Sequence, residues 1–213
     1  GNILHTIEAD DRRSAVLKLI EIGANLNGAS LKCSNLRNAD LRGADLRGAD
    51  LRWTDLSETN LSMAVLKGAD LEGAYLDGAN CNNTNFEGAN LHGADFDSAN
   101  LEGANFKGAN LEGAILYGAN CNNTNFEGAN LHGVNFNNAN LKGAGFDFAC
   151  WPLTCNVLHA IVDDRVRIQL LYHVGKPQGK IIDSDLKELL ESDLYKKVAN
   201  KFHMIPKYCG KIN

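Results

Sequence analysis

A strict five-residue period runs through the middle of this 213-residue chain. Every fifth residue from Leu26 to Phe146 is Leu, Phe or Cys, and the residue two positions before it is almost always Ala. The consensus reads A-(D/N)-L-x-G, as in residues 39–43 and 109–113. This spacing matches neither the 3.6-residue period of a helix nor the two-residue period of a strand. The chain must therefore turn within each repeat, and each repeat buries its apolar residues by stacking on another repeat.

The pattern from Gly23 to Asp147 resembles that of the pentapeptide-repeat family. The resemblance implies a right-handed quadrilateral parallel β-helix, with four repeats per coil and with the central and small residues facing inward. With strands about 4.8 Å apart, the repeats would form about six coils and a rod about 30 Å long. Residues spaced by 20 would share a wall. We therefore expect a column of phenylalanines, made of Phe86, Phe106, Phe126 and Phe146. We expect a column of leucines on another wall, made of Leu31, Leu51, Leu71, Leu91, Leu111 and Leu131.

The limits of the five-residue period divide the chain into three segments. Residues 1–22 are predicted to form an N-terminal capping helix, because Ile7 to Ile22 carry an apolar face and Thr6 suits the helix cap. Residues 23–147 form the β-helix. Residues 148–213 are predicted to form a C-terminal helical cap, since an open solenoid end exposes an apolar interior and an unpaired edge. The expected fold class is mainly β, with α-helical caps at both ends.

Two kinds of sequence likeness each have more than one explanation. Residues 78–93 and 118–133 are identical and lie 40 positions apart, which indicates either duplication of a two-coil unit or a repeated binding surface. Leu17 to Leu26 resembles the end of an ankyrin repeat's second helix and its loop. Residues 3–12 also resemble residues 157–165, with one residue skipped. These likenesses are explained either by a shared capping design at the two ends or by a chain cut from a longer ankyrin-bearing protein.

Acidic residues are concentrated in the second half of the repeats. Between Gly68 and Asp147 ten acidic residues face two basic ones, although the net charge of the whole chain is only −5. Such a negative field disfavours direct nucleic-acid binding. Six of these acids occupy outward positions and are our candidates for binding a partner: Glu72, Asp77, Asp95, Asp97, Glu102 and Glu112.

Four arginines at successive outward positions would project from four different walls and so form no flat patch. They are Arg37, Arg42, Arg47 and Arg52. We expect outward aspartates near them in the chain to neutralise them, as Asp45 would neutralise Arg47. Binding of phosphate or of an acidic partner is the alternative.

The six cysteines suggest no disulfide framework. Cys81 and Cys121 are inward centres of one wall about 10 Å apart, which is too far for a disulfide bond. Reduced thiols and a cytoplasmic location follow, and delivery into another cell is left open. No apolar stretch approaches the roughly 20 residues of a membrane span, so we expect no membrane association.

One outward column carries side chains that suit a metal ion: His92, Glu112 and His132, spaced by 20. The position after each centre is the most variable in the repeat, and both histidines belong to the duplicated block. We therefore predict no metal site, no cofactor and no catalytic residue, with this column as the weak candidate. A metal-binding or enzymatic role ranks third among the functions considered.

The sequence thus predicts a non-enzymatic protein–protein interaction scaffold with a rigid, partly acidic rod surface. The family resemblance supplies an alternative. Fluoroquinolone-resistance members occupy the DNA groove of type II topoisomerases, so the chain would be a DNA-mimic inhibitor or protector of such an enzyme. The partner's identity and the oligomeric state stay open, with a dimer formed through the C-terminal helices as one alternative.

Overall fold

The structure, a computed structural model, describes residues 12–147 and residue 149. Within this part, helix α1 spans Arg12–Glu21 and is followed by an uninterrupted solenoid. The predicted start of the first helix near Thr6 lies outside the described residues. So does the predicted C-terminal cap, residues 148–213, apart from Ala149.

The solenoid has the expected 20-residue coil. Each residue that precedes a centre forms a parallel β-bridge with the residue 20 positions later, from Ser30 with Asp50 to Asn125 with Gly145. In the described part, the strands are single-residue bridges separated by turns. Four repeats therefore complete one coil, as the family resemblance implies.

We number the walls by their first centres. Wall 1 contains Leu26 and every twentieth residue after it, and walls 2, 3 and 4 begin in the same way at Leu31, Leu36 and Leu41. Coil 1 has its centres at residues 26–41 and coil 6 at residues 126–141. The outward residues directly before and after a centre belong to the wall of that centre.

Backbone hydrogen bonds join each coil to the next. The amide of Leu31 donates to the carbonyl of Asp50 at 2.8 Å, and the amide of Asp50 donates to the carbonyl of Ala29 at 2.9 Å. A third hydrogen bond closes the turn, because the amide of Ala29 donates to the carbonyl of Leu26 at 3.0 Å. The same pattern recurs along the rod. The backbone of one coil is therefore satisfied mainly by its neighbours.

The interior is a filled apolar column. All centres from Leu36 to Phe146 are at most 1% exposed. The predicted column of phenylalanines is confirmed on wall 1, where successive rings of Phe86, Phe106, Phe126 and Phe146 stack with centroids 4.7, 5.3 and 5.1 Å apart. Phe96 and Phe136 reach these rings edge-on from wall 3, which the sequence did not predict. The aromatic residues of the two facing walls therefore interlock across the column.

Threonine replaces the small inward alanine at several repeats, and its buried hydroxyl group forms a hydrogen bond there. The Oγ1 atoms of Thr54, Thr84 and Thr124 donate to carbonyl oxygens of the previous coil at 2.9, 2.7 and 2.8 Å. Thr59 donates to the carbonyl of Leu56 in its own turn. A buried hydroxyl is tolerated when it is paired in this way.

The residue two positions after each centre has a left-handed backbone from Gly28 to Gly143. Glycine and asparagine suit this conformation. Trp53 and Met63 adopt it as well, with φ of 56° and 61°. A bulky side chain in this region costs about 1–2 kcal/mol. Such a strained backbone persists only where the surrounding structure holds it in place.

Helix α1 packs against the first coils. Val16 is buried in the core, and Leu17, Leu19 and Ile20 pack against it while partly exposed. The helix ends in a Schellman motif, because Gly23 has a φ of 67° and the amides of residues 23 and 24 donate to the carbonyls of residues 20 and 19. A helix at this end is confirmed over Arg12–Glu21, whereas its function as a cap stays a prediction.

Replacing Phe106 with Ala should lower the free energy of unfolding by about 3–5 kcal/mol, because a fully buried ring is lost from the stack. Replacing the outward residue Glu102 with Ala should change it by no more than about 0.5 kcal/mol. Denaturant titration of both full-length variants measures the two changes. Equal losses would contradict the inward placement of the phenylalanine.

Candidate interaction surface

Asparagine side chains form hydrogen-bonded ladders on three of the four walls. On wall 4, Asn80 Nδ2 donates to Asn60 Oδ1 at 3.4 Å, and the same bond recurs through Asn140. Wall 1 has such bonds from Asn85 to Asn125, and wall 2 continues one from Asp70 to Asn130. These ladders were not predicted, although an Asn at every twentieth position of the sequence indicates them.

Wall 3 departs from this pattern. The residues before its centres are Asn35, Asp55, Tyr75, Asp95, Ile115 and Asn135. Bridges join Tyr75 to Asp95 and Asp95 to Ile115, so these three side chains follow one another along the rod. Tyr75 is 48% exposed, Ile115 38% and the neighbouring Tyr117 43%. Large apolar side chains therefore stand at the surface where the other walls carry asparagine.

Trp53 lies at the edge between walls 2 and 3 and is 49% exposed. Its ring covers Gly73 of the next coil, where an added Cβ atom would lie under 3.0 Å from three ring atoms. The packing of the indole therefore favours glycine at this position, in addition to its φ of 61°. Tyr75 follows Gly73 by two residues and lies on wall 3 in the coil that the ring covers.

Together these residues define what we call the wall-3 face. Its members are Trp53, Tyr75, Asp77, Asp95, Asp97, Ile115 and Tyr117. All project from coils 2 to 5 on wall 3 or its edge. The face thus combines exposed aromatic and aliphatic side chains with three carboxylates.

The arginines of the first coils are neutralised locally, as predicted for three of them. Arg42, Arg47 and Arg52 approach Asp40, Asp45 and Asp50 with Nη2–Oδ2 distances of 2.7, 2.6 and 2.7 Å. These guanidinium groups hold the pKa of each aspartate below its usual value, and that of Asp50 falls to about 2.

The prediction for Arg37 was wrong. This guanidinium pairs with Glu58, one coil further along the rod, and not with an aspartate near it in the chain. The physical reason is that Asn35 occupies the position where the other three arginines have their aspartate. An acid 21 residues away is close because successive coils stack in register.

Ion pairs also neutralise two acids of wall 1. Lys67 Nζ lies 3.0 Å from a carboxylate oxygen of Glu87, and Lys107 Nζ lies 3.0 Å from one of Glu127. Within the described residues, none of the six predicted partner-binding acids forms an ion pair. Their carboxylates therefore carry most of the uncompensated negative charge of the distal coils.

The six predicted acids do not form one patch. Asp77, Asp95 and Asp97 lie together on wall 3, Glu72 and Glu112 lie on wall 2, and Glu102 lies on wall 4. The structure thus brings half of the predicted set together. Their association with Tyr75 and Ile115 could have been found from the sequence, because both residues break the Asp/Asn consensus in the same 20-residue register.

The weak metal candidate occupies one column of wall 2, as expected. The amide of Gly93 donates to the carbonyl of Glu112, and the amide of Gly113 donates to that of His132. Glu112 Oε2 accepts a hydrogen bond from Asn130 Nδ2 at 3.3 Å. Among the residues that the structure describes, no three His, Cys, Asp or Glu side chains are grouped so that they could hold a metal ion. This geometry gives the metal hypothesis for His92, Glu112 and His132 no support.

The cysteines of the described part carry free thiols. Cys81 and Cys121 are fully buried, and burial raises the pKa of both thiols well above the usual value. Cys33 is exposed. The other three cysteines, Cys150, Cys155 and Cys209, lie outside the described residues. In the same part of the chain, no helix is long and apolar enough to cross a membrane.

The five-residue period, the 20-residue coil and the filled interior define a pentapeptide-repeat solenoid. The family of pentapeptide repeats matches the sequence in eight copies, over residues 24–62, 64–103, 104–143 and 119–150. These matches include more than half of the chain. The chain therefore belongs to the pentapeptide-repeat family.

Solved structures of three other pentapeptide-repeat proteins are similar to this chain. Rfr23 from the cyanobacterium Cyanothece 51142 is 23% identical over 70% of this chain and 93% of its own, with a TM-score of 0.45. The protein alr5209 from Nostoc PCC 7120 is 34% identical over 47% of this chain and 79% of its own, with a TM-score of 0.41. QnrB1, a plasmid-mediated fluoroquinolone resistance protein, is 22% identical over 71% of this chain and 91% of its own, with a TM-score of 0.40. A search of curated proteins gave no match.

Two glycine variants test how Trp53 packs. Gly73 and Gly93 occupy the same register position of wall 2, but an added Cβ atom at Gly93 would have no neighbour within 4 Å. Gly93→Ala should cost about 1–2 kcal/mol of unfolding free energy from its backbone conformation. Gly73→Ala should cost about 1–3 kcal/mol more, because the methyl group overpacks the indole. When Trp53 is also replaced with Ala, denaturant unfolding should show that Gly73→Ala costs no more than Gly93→Ala. If the extra cost of Gly73→Ala stayed the same, the indole would not pack on Gly73.

The Asp50–Arg52 pair predicts a pH-dependent contribution to stability. Because the folded-state pKa of Asp50 is about 2, below the unfolded value, the pair stabilises the fold at neutral pH and loses its effect as pH falls through that value. Asp50→Asn should therefore lower the free energy of unfolding at pH 7 by up to about 1 kcal/mol, and by nothing below about pH 2. Asp55→Asn is the matched control. If Asp50→Asn still lowered the free energy of unfolding below about pH 2, the loss would not come from the ionised Asp50–Arg52 pair.

Proposed function

We propose that this chain is a non-enzymatic protein–protein interaction scaffold that presents the wall-3 face on a rigid rod. The observation that carries the proposal is the replacement of the asparagine ladder by Tyr75 and Ile115 beside uncompensated aspartates. Exposed apolar side chains of this kind favour self-association unless a partner uses them. Aromatic residues are also enriched where proteins bind one another.

The filled interior supports a scaffold because it keeps the face in one arrangement. Each coil is hydrogen-bonded to the next through the backbone, and the centres leave no room for the walls to collapse. A partner therefore meets a preformed surface, which lowers the entropy cost of association. Free thiols such as the exposed Cys33 suit a reducing compartment, so the proposal includes a cytoplasmic location.

A DNA mimic that inhibits or protects a type II topoisomerase is the alternative. Its support is the set of six acids that form no ion pair within the described residues, since a negative surface can bind where phosphates bind. Two features favour the scaffold over the mimic. Glu87 and Glu127 of wall 1 are paired with lysines, and the six candidate acids are divided among the other three walls.

Affinity capture tests the scaffold function. The immobilised full-length chain should retain specific proteins from an extract of its native source, and a variant with all six acids changed to Asn or Gln should lose them. The neutralised positions are Glu72, Asp77, Asp95, Asp97, Glu102 and Glu112. Both proteins should unfold at similar denaturant concentrations, because these side chains point outward. Equal retention by the two proteins, or retention by neither, would contradict the proposal.

A topoisomerase assay separates the two functions. A DNA mimic should inhibit or protect the enzyme at low salt, and the effect should weaken as salt rises, because charge attraction is screened over about 8–10 Å near physiological ionic strength. The six-acid variant should be inactive in the same assay. No effect of the unmodified protein well above micromolar concentration would remove the alternative and leave the scaffold.

A further inference from the structure

The residues that precede the centres of wall 3 alternate between apolar and acidic side chains from Tyr75 to Ile115. Tyr75 in coil 3 is bridged to Asp95 in coil 4, which is bridged to Ile115 in coil 5. The residues after the centres do not alternate: Asp77 and Asp97 are followed by Tyr117, and the hydrogen bond from the amide of Ser98 to the carbonyl of Tyr117 places Asp97 beside it. Asp95 and Asp97 therefore form an acidic step between Tyr75 and Ile115, while Asp77 shares the coil of Tyr75.

The carboxylates of this face accept hydrogen bonds only from polar neighbours in the described part of the chain. Asp95 accepts one from the amide of Asp97 at 2.9 Å, and Asp97 accepts one from Ser98 Oγ at 2.7 Å. Asp77 accepts one from Ser57 Oγ at 2.6 Å. No Lys or Arg occupies an outward position of wall 3 in coils 2 to 6. The complementary partner is therefore cationic opposite Asp95 and Asp97 and apolar opposite Tyr75 and Ile115.

The spacing of the coils selects the conformation of that partner. Steps of about 4.8 Å place Tyr75 and Ile115 about 9.6 Å apart along the rod. Two turns of an α-helix advance about 10.8 Å, whereas two same-side steps of an extended strand advance about 13 Å. A helix parallel to the rod axis can therefore match one side chain to each coil, and an extended segment cannot.

We infer that the wall-3 face binds a basic amphipathic helix of another protein, which lies along the rod. An Arg or Lys in its middle turn faces Asp95 and Asp97. Apolar residues one turn before and after it pack on Tyr75 and on Ile115 with Tyr117. This inference rests on the proposed scaffold function and specifies the chemistry of its partner. The exposed rings of Trp53 and Tyr75 also suit contact with a cationic side chain.

A helical peptide of 18 residues is the probe. One of its faces carries two arginines at the middle turn, with leucines one turn before and one turn after. Binding to the full-length protein is measured by fluorescence anisotropy at fixed ionic strength. A control peptide of the same composition carries the arginines on the opposite face and should bind at least about tenfold more weakly.

Two pairs of substitutions with the same change in net charge test the location. Asp95→Asn with Asp97→Asn should weaken peptide binding about tenfold or more, whereas Glu72→Gln with Glu112→Gln on wall 2 should weaken it less than about threefold. Asn at position 95 keeps the side-chain oxygen that accepts the turn hydrogen bond, as Asn85 does for Glu87. Unchanged denaturant unfolding confirms that the fold is retained.

Replacing the two apolar residues tests the ends of the face. Tyr75→Asn with Ile115→Asn installs the residue that the other walls use at this position, so the fold should tolerate it. Peptide binding should weaken about tenfold or more, because both apolar contacts are lost.

Three results would overturn the inference. They are equal weakening by the two charge pairs, equal binding of an extended peptide with the same side chains, and no binding of the helical peptide at millimolar concentration. If specific proteins are still retained in affinity capture, any of these results rules out a helical partner but is compatible with the scaffold function. If capture also fails, both proposals are wrong.

Discussion

The stacking of coils in a fixed 20-residue register is the constraint on which the rest of the structure depends. Amides and carbonyls of adjacent coils pair with one another, as between Asp50 and Ala29, so one coil alone would leave them unsatisfied. The interior accommodates one large and one small side chain per repeat, which restricts the position two before each centre to Ala, Thr, Ser or Val. Backbone pairing and side-chain volume therefore impose the same period, and an inserted residue would break both.

The same register determines which outward residues meet. Asparagines spaced by 20 become ladders, Arg37 reaches Glu58, and Trp53 covers Gly73. Neighbouring residues on one wall of the rod are therefore 20 positions apart in the sequence. Residues of successive repeats, although close in the chain, lie on different walls. This explains why the candidate acids divide among three walls, and why the apolar residues of wall 3 gather with only half of them.

The fold and the placement of the phenylalanine column could be predicted because the five-residue period of the centres is unbroken from Leu26 to Phe146. The surface was less predictable because its interactions depend on side-chain reach. Arg42 and Arg37 occupy equivalent outward positions, yet one pairs within its own turn and the other across coils, since Asp40 and Asn35 differ. The edge-on packing of Phe96 likewise depends on the width of the column, which the spacing alone does not give. The predicted caps could be compared only over Arg12–Glu21.

Disulfide cross-linking tests the register most directly. In a chain whose native cysteines other than Cys81 and Cys121 are replaced by serine, Asp95→Cys with Ile115→Cys should oxidise readily. Bridged residues lie about 4.8 Å apart, within the range that a disulfide spans. Asp95→Cys with Asn110→Cys, which places the second thiol on wall 2, should stay reduced under the same conditions. Equal oxidation of the two pairs, or preferential oxidation of the second, would contradict the 20-residue coil and the wall-3 face built on it.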